Sequence, residues 1–287
     1  LALTLPIFLL IIIHVFAYPL GIAAGHVRIA GIPFLAWAVL FLLPMQVAMG
    51  SRAEPDMETL RHMREIEFAL IEYDTEAHPY YGYVKGSIPI LISAPHGAKH
   101  FRTSEGRWKK EDAYTSSLAL ELGRLTGAHV LYLKNKAGED PNNDRGTAFK
   151  EFLKKVVEEN NIRFVLDLHG ADGRRPFKVD VGIMDDAVAR CSCPTFRPLF
   201  EKAFAGFEPE LFNKDFPAHK GGTITSFARN NLGIEAAQVE INASYRIVES
   251  KTTEFRADPE RVLAMVRRLE TLILEIDRAI AEGPPRG

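Results

Sequence analysis

Apolar positions are spread unevenly along the 287 residues, and the period of the pattern changes with them. From Leu1 to Gly50 they run almost unbroken, in stretches of about Leu1 to Gly25 and Ile29 to Gly50 separated by His26-Val27-Arg28. Each stretch is near the ~20 residues that cross a bilayer as a helix. Pro6, Pro19, Pro33 and Pro44 are tolerated better there than in soluble helices. The favoured reading of residues 1–50 is a pair of transmembrane segments that attach the chain to a membrane. A competing reading makes Arg28 the basic start, Ile29 to Leu43 the apolar centre and Pro44 to Ala53 the cleavage region of an export signal. The chain opens on Leu rather than Met. A misassigned start would leave a cytoplasmic protein.

Residues 51–56 are a polar linker containing Pro55, and beyond them short periods replace the continuous run. Met57 to Arg64 predicts a short helix and Ile66 to Tyr73 a strand. Pro89 to Ala94 is a compact apolar run, the mark of a buried strand. Glu111 to Leu125 has helical spacing and meets a stop at Thr126-Gly127. Strands follow at Ala128 to Leu133, Arg163 to Leu168, Lys178 to Met184 and Ala236 to Ile241, with an amphipathic helix at Ala148 to Glu159. A long closing helix starts at Asp258-Pro259-Glu260 and ends near Gly283. Strands alternating with helices predict an α/β domain over residues 57–287, with a mixed, largely parallel sheet flanked by helices.

Charge narrows the functional classes. There are 35 basic and 37 acidic residues, and Arg28 is the only formally charged side chain before Ser51. No clustered basic run occurs, so a nucleic-acid partner is not expected. Cys191 and Cys193 are too close to satisfy disulfide geometry readily. Two thiols are also a poor metal set, and they read as ordinary thiols. Nothing in the pattern indicates an oligomeric state.

Ligands of parallel sheets bind at the carboxyl ends of the strands, and three such places carry reactive side chains. Ser93-Ala-Pro-His-Gly97 and Asp167-Leu-His-Gly170 each set a histidine before a glycine, and Gln238-Val-Glu-Ile-Asn242 carries a carboxylate. Each residue alone has a plain structural explanation. Together, two imidazoles and one carboxylate with an open fourth position make a hydrolytic zinc site. His96 and His169 supply the imidazoles, and Glu111 or Asp112, at the predicted helix start, supplies the carboxylate. Glu240 is then left as a base for water. On its strand it shares a face with Gln238 and Asn242.

The strings Ser93 to Gly97, Glu111-Asp-Ala-Tyr114, Asp167 to Gly170, Lys220-Gly-Gly-Thr-Ile-Thr225 and Gln238 to Asn242 occur in this order over residues 89–246. The ordered set resembles the N-formylglutamate amidohydrolase family, relatives of the zinc carboxypeptidases. The resemblance implies a zinc carboxypeptidase-like (phosphorylase/hydrolase-like) fold, with zinc held by His96, His169 and Asp112, the last preferred over Glu111. It implies Glu240 as general base and later as proton donor to the leaving amine. Asn142 and Arg145 are the nearest matches to a substrate-carboxylate pair that is adjacent in the family and is split here by Asn143-Asp144. Lys220, Gly221 and Gly222 match a glycine-rich loop beside the site. The implied reaction is hydrolysis of the amide of an N-formyl or other N-acyl amino acid by metal-activated water. The alternatives are a zinc peptidase for small peptides and a membrane-tethered protein that binds a metal or ligand without turnover.

Overall fold

Helix α1 runs over residues 56–70 and buries Thr59, Leu60, Met63, Ile66 and Glu67, the stripe of a helix rather than the alternation of a strand. This overturns the expected strand at Ile66 to Tyr73. Phe68 and Leu70, which suggested it, point to solvent at 38% and 54% exposure. The extended segment begins only at β1, Glu72–Glu76. The computed structural model describes residues 56–185 and 190–283, together with the backbone of two short antiparallel strands, Arg28–Ile29 and Ile32–Pro33. The transmembrane, export and linker readings of residues 1–55 otherwise lie outside the described residues. Among those described, no helix is long and apolar enough to cross a membrane. The chain divides into two units, Leu1–Pro55 and Asp56–Gly287.

The second unit continues with β2 (Tyr81–Val84), β3 (Ile90–Ala94), the hairpin β4 (His100–Arg102) and β5 (Arg107–Lys109), and helix α2 (Thr115–Thr126). Next come β6 (His129–Leu133), β7 (Asn135–Lys136), α3 (Ala148–Asn160), β8 (Phe164–Ala171) and β9 (Val179–Gly182). The unit closes with α4 (Arg197–Ala203), α5 (Ile224–Asn231), β10 (Glu235–Asn242) and α6 (Pro259–Glu282). Expected helix boundaries are met at Gly127, which caps α2 at φ 80°, and at Asp258 and Pro259, which open α6. Helix α2 begins four residues later than its apolar spacing suggested. Tyr114 takes a left-handed φ of 67°, and this breaks the chain ahead of Thr115. The strand expected at Lys178 to Met184 is confined to its centre.

The main sheet has the order β9-β10-β8-β3-β6-β2. Strands β10, β8, β3 and β6 are parallel, and β9 and β2 close the two edges antiparallel. The fold is therefore mixed α/β with a mostly parallel sheet. One sheet face packs under α1, α2, α4 and α6 through Ile90, Ile92, Leu166, Leu168, Val239 and Ile241. The opposite face meets α3 and α5 through Leu91, Val165 and Ala236. On that second face the strands turn polar towards their carboxyl ends. Ser93 pairs with Asp167, Asp167 with Gln238, and His169 with Glu240. Because side chains alternate along a strand, these residues form one continuous polar surface while the α6 side stays apolar.

Candidate functional site

His96 follows β3 by two residues, with Pro95 ending the strand. Asp112 lies on the loop ahead of α2, and its amide donates to the His96 carbonyl at 2.8 Å, which joins the two loops. The left-handed turn at Tyr114 directs this loop back over the sheet. Such a conformation costs a bulky residue about 1–3 kcal/mol and needs support from its surroundings. The Tyr114 amide donates to the buried Glu67 carboxylate at 3.0 Å, and its hydroxyl accepts from the Glu249 amide. His169 stands inside β8 rather than after it, since the strand continues to Ala171.

These placements bring three of the expected ligands together. Nδ1 of His96 and Nδ1 of His169 each lie 3.4 Å from Asp112 Oδ2, and the two rings meet edge-on with centroids 4.7 Å apart. The Gly170 amide also donates to Asp112 Oδ2 at 3.1 Å. Glu111 is absent from the walls of the cleft.

The other nitrogen of each imidazole is held by its own carboxylate. His96 Nε2 is 2.8 Å from Asp140 Oδ1, and His169 Nε2 is 3.1 Å from Asp167 Oδ2. Asp140 in turn accepts from Arg102 Nε at 2.6 Å, and Asp167 accepts from the Ser93 hydroxyl. Metal-binding histidines are commonly oriented in this way, with the distal N–H given to a carboxylate so that the other nitrogen faces the ion. Burial opposes charge on both rings, yet Asp140 and Asp112 hold His96 above the ordinary imidazole pKa, and Asp167 and Asp112 raise His169 well above it. Burial would push Asp112 up, but the two histidines hold it well below the usual carboxylate range. Positive charge is thus demanded where the two Nδ1 atoms and Oδ2 converge. A divalent cation suits that demand, and the donor set fits zinc.

His96 and Asp140 also form a second group with His100, whose ring stacks on that of His96 at 3.9 Å. Burial and the neighbouring His96 push His100 down to about 3. The Arg102 guanidinium already occupies the free side of Asp140, so this group supports His96.

Glu240 stands directly across from His169 in the β8–β10 register, buried in the wall of the same cleft. Burial pushes its carboxyl up to about 7. Gln238 donates to Glu240 Oε1 at 3.0 Å, and Asn142 donates to Gln238 Oε1 at 3.4 Å. Asn142 Oδ1 accepts from the Ile224 amide at 2.7 Å, which ties the loop around residue 142 to the start of α5.

The cleft encloses about 390 Å³ and includes Arg102, Asn142, Arg175, Phe216, Lys220 and Glu240 in its walls. Arg175 donates to Asp215 at 2.9 Å and lies over the Phe216 ring. Arg145 is exposed against Gly221 and is not part of the walls. With Asn143 and Asp144 between them, Asn142 turns into the cleft and Arg145 away from it. Gly221 and Gly222 also stay outside the lining. Gly222 is buried where the two loops meet, so close that a Cβ there would overlap the Asn143 carbonyl. Beside it Lys150, 1% exposed, donates to the Gly222 carbonyl at 2.5 Å and to the Asp144 carbonyl.

Arg175, just past the second histidine, reads from the sequence as surface charge rather than a substrate contact, yet it lines the cleft. Asp140, Asp167 and Arg102 were not assigned from the residues. Asp167 alone had a local signal, since it lies two places before His169 on one strand and shares its face.

No protein-family model matches the chain, and no curated protein matches it. Its fold does match solved structures. The N-formylglutamate amidohydrolase from Ralstonia eutropha JMP134 aligns over 71% of this chain and 98% of its own, with 16% identity and a TM-score of 0.50. A bacteriophage poly-gamma-glutamate hydrolase aligns over 72% and 93%, with 16% identity and a TM-score of 0.47. A metallo-carboxypeptidase from Burkholderia cenocepacia covers 75% and 68% at 12% identity, with a TM-score of 0.41.

Proposed function

We propose that this protein is a zinc-dependent amidohydrolase that cleaves the amide of a small N-acyl amino acid. One observation carries the reading: His96, His169 and Asp112 converge in the cleft where Glu240 faces His169. The fold shared with an N-formylglutamate amidohydrolase agrees with it. A cleft of about 390 Å³ is of small-molecule size.

In this mechanism His96, His169 and Asp112 would hold the ion, with Asp140 and Asp167 fixing the two rings. Bound there, zinc supplies Lewis acidity that polarises the amide carbonyl and acidifies water. Glu240 accepts a proton from the water that attacks the carbonyl carbon. A buried carboxyl whose affinity for a proton has been raised suits that exchange near neutral pH. The C–N bond breaks as Glu240 returns the proton to the departing nitrogen, leaving a carboxylic acid and a free amino acid. Arg102, Arg175 and Lys220 line the cleft where the substrate carboxylate binds, and Asn142 holds Gln238 against the base.

The test is metal analysis of the full chain together with a screen of N-formyl, N-acetyl and longer N-acyl amino acids. One zinc per chain and release of free amino acid are expected. Full zinc occupancy with no turnover of any of them would overturn this reading and leave a peptidase for small peptides or a binding protein. We further propose that residues 1–50 attach this domain to a membrane or direct its export. Membrane fractionation of the full chain tests that assignment, and recovery of the intact chain in the soluble cytoplasmic fraction would contradict it.

A further inference from the structure

Asp112, His169 and Glu240 come from three separate elements, and the residue that follows each of them touches the same side chain. Arg246, just beyond the 3-10 turn Ala243–Tyr245 that ends β10, is buried at 4% exposure. Its Nε donates to the Ala113 carbonyl at 2.7 Å, and Nη1 donates to the Ile241 carbonyl at 2.9 Å. The flat of the guanidinium lies against Gly170. A Cβ on that residue would overlap its central carbon and Nη2. Ala113 follows Asp112, Ile241 follows Glu240, and Gly170 follows His169. The planar fork thus spans the loop before α2, strand β8 and strand β10 at one point.

We infer that Arg246 is a positioning residue that sets the spacing between the metal ligands and the base. The inference rests on the amidohydrolase reading above and adds a residue that touches neither substrate nor metal. Its geometry explains the choice of side chain. A guanidinium presents fixed donors in one plane and stays charged when buried. Two carbonyls approached from different elements therefore receive donors at a set separation. A lysine ammonium is a single point charge and cannot meet both carbonyls in the same plane while lying flat against Gly170. The cation also interacts with the Asp112 and Glu240 carboxylates, so it offsets part of the negative charge gathered there. Displacing the fork would shift Asp112 and Glu240 relative to His169 without removing any of the three.

The experiment compares the full chain with Arg246→Lys, Arg246→Gln and Gly170→Ala. The last variant presses a methyl group on the face of the guanidinium and leaves Arg246 itself intact. Thermal melting followed by circular dichroism reports folding. Competition with a chromogenic chelator gives zinc affinity, and the visible absorption of cobalt(II)-loaded protein reports ligand geometry. Kinetics on an N-acyl amino acid separate kcat from KM. Folded variants are expected to bind zinc about 10–100-fold more weakly, the usual effect of losing support for a ligand. Their cobalt spectra should be altered, and kcat should fall while KM stays within about threefold, because an interaction realised in the transition state has been lost. If Arg246→Gln does not fold, Arg246→Lys and Gly170→Ala decide the matter. Wild-type affinity, spectrum and kcat in the folded variants would overturn the proposal alone. Full rescue by lysine would overturn it too, since charge without the fork would then suffice. A wild-type chain that takes up neither zinc nor cobalt would remove the amidohydrolase reading and this inference with it.

Discussion

Asp167 and His169 lie two residues apart on β8 and therefore share a face, with the carboxylate oxygen Oδ2 3.1 Å from the ring nitrogen Nε2. The contact sets which nitrogen of His169 is free to face Asp112 and His96. Asp167→Asn keeps the shape but weakens the hold on that nitrogen. Zinc affinity is expected to fall about 10–100-fold, as read by chelator competition on protein that still melts cooperatively. Unchanged affinity would show that β8 alone orients the ring.

Replacing Glu240 by glutamine preserves size and the contact with Gln238 but removes the basic carboxylate. Glu240→Gln is expected to retain its zinc and lose at least about 100-fold in kcat, the lower end of what a placed acid–base group contributes. Rates on an N-acyl amino acid, measured at matched zinc content, check this. Equal rates would take Glu240 out of the chemistry.

Gly222 has no room for a side chain, because a Cβ there would overlap main-chain atoms of Asn143. Backbone yields less readily than the end of a flexible side chain. Gly222→Ala is therefore expected to destabilise the fold by about 1–3 kcal/mol, the usual cost of overpacking, and to weaken the Asn142 contact with Gln238. Denaturant unfolding measures the first effect and kcat/KM the second.

Lys150 gives a pH signature. Burial pushes its ammonium down to about 8, against an ordinary value of 10.5. Between those values the unfolded chain binds more protons at this site than the folded one, so this contribution to stability increases with pH. Below about pH 8 both states are charged and the contribution is level. Subtracting the stability curve of Lys150→Met from that of wild type should leave a difference rising in wild type's favour from about pH 8 to 10.5. A flat difference across that window would mean that Lys150 is not held in a depressed state.

The parts of the site that could be read beforehand are the ones with a local signature. His96, His169 and Glu240 each sit in a short string tied to a strand, and the strand alternation that places Gln238 and Glu240 on one face depends only on adjacent residues. The parallel sheet was legible for the same reason, since its central strands are short apolar runs. Residues that act across the chain left no such trace. Asp140 meets His96 from 44 positions away, and Arg246 meets Ala113 from 133 away. Arg145 was misleading because proximity in sequence to Asn142 says nothing about the turn between them. Residues 66–70 were misread because Ile66, Phe68 and Leu70 alternate like a strand. The buried stripe actually passes through Leu60, Met63 and Ile66, and two of the three alternating residues were surface positions.

The hydrogen bonds that close the seam at Lys150 go to main chain alone. Both of its acceptors are carbonyl oxygens, at Asp144 and Gly222, so its hydrogen bonds register where those loops pass. The Asp144 side chain shapes the turn, accepting from the Asp140 amide and the Thr103 hydroxyl, while its carbonyl receives the ammonium. An insertion or deletion of a single residue in either loop moves a carbonyl off the ammonium. A buried amine placed like this acts as a length gauge. Loop length then fixes where the two carbonyls fall against the ammonium, and with them the edge of the cleft at Asn142.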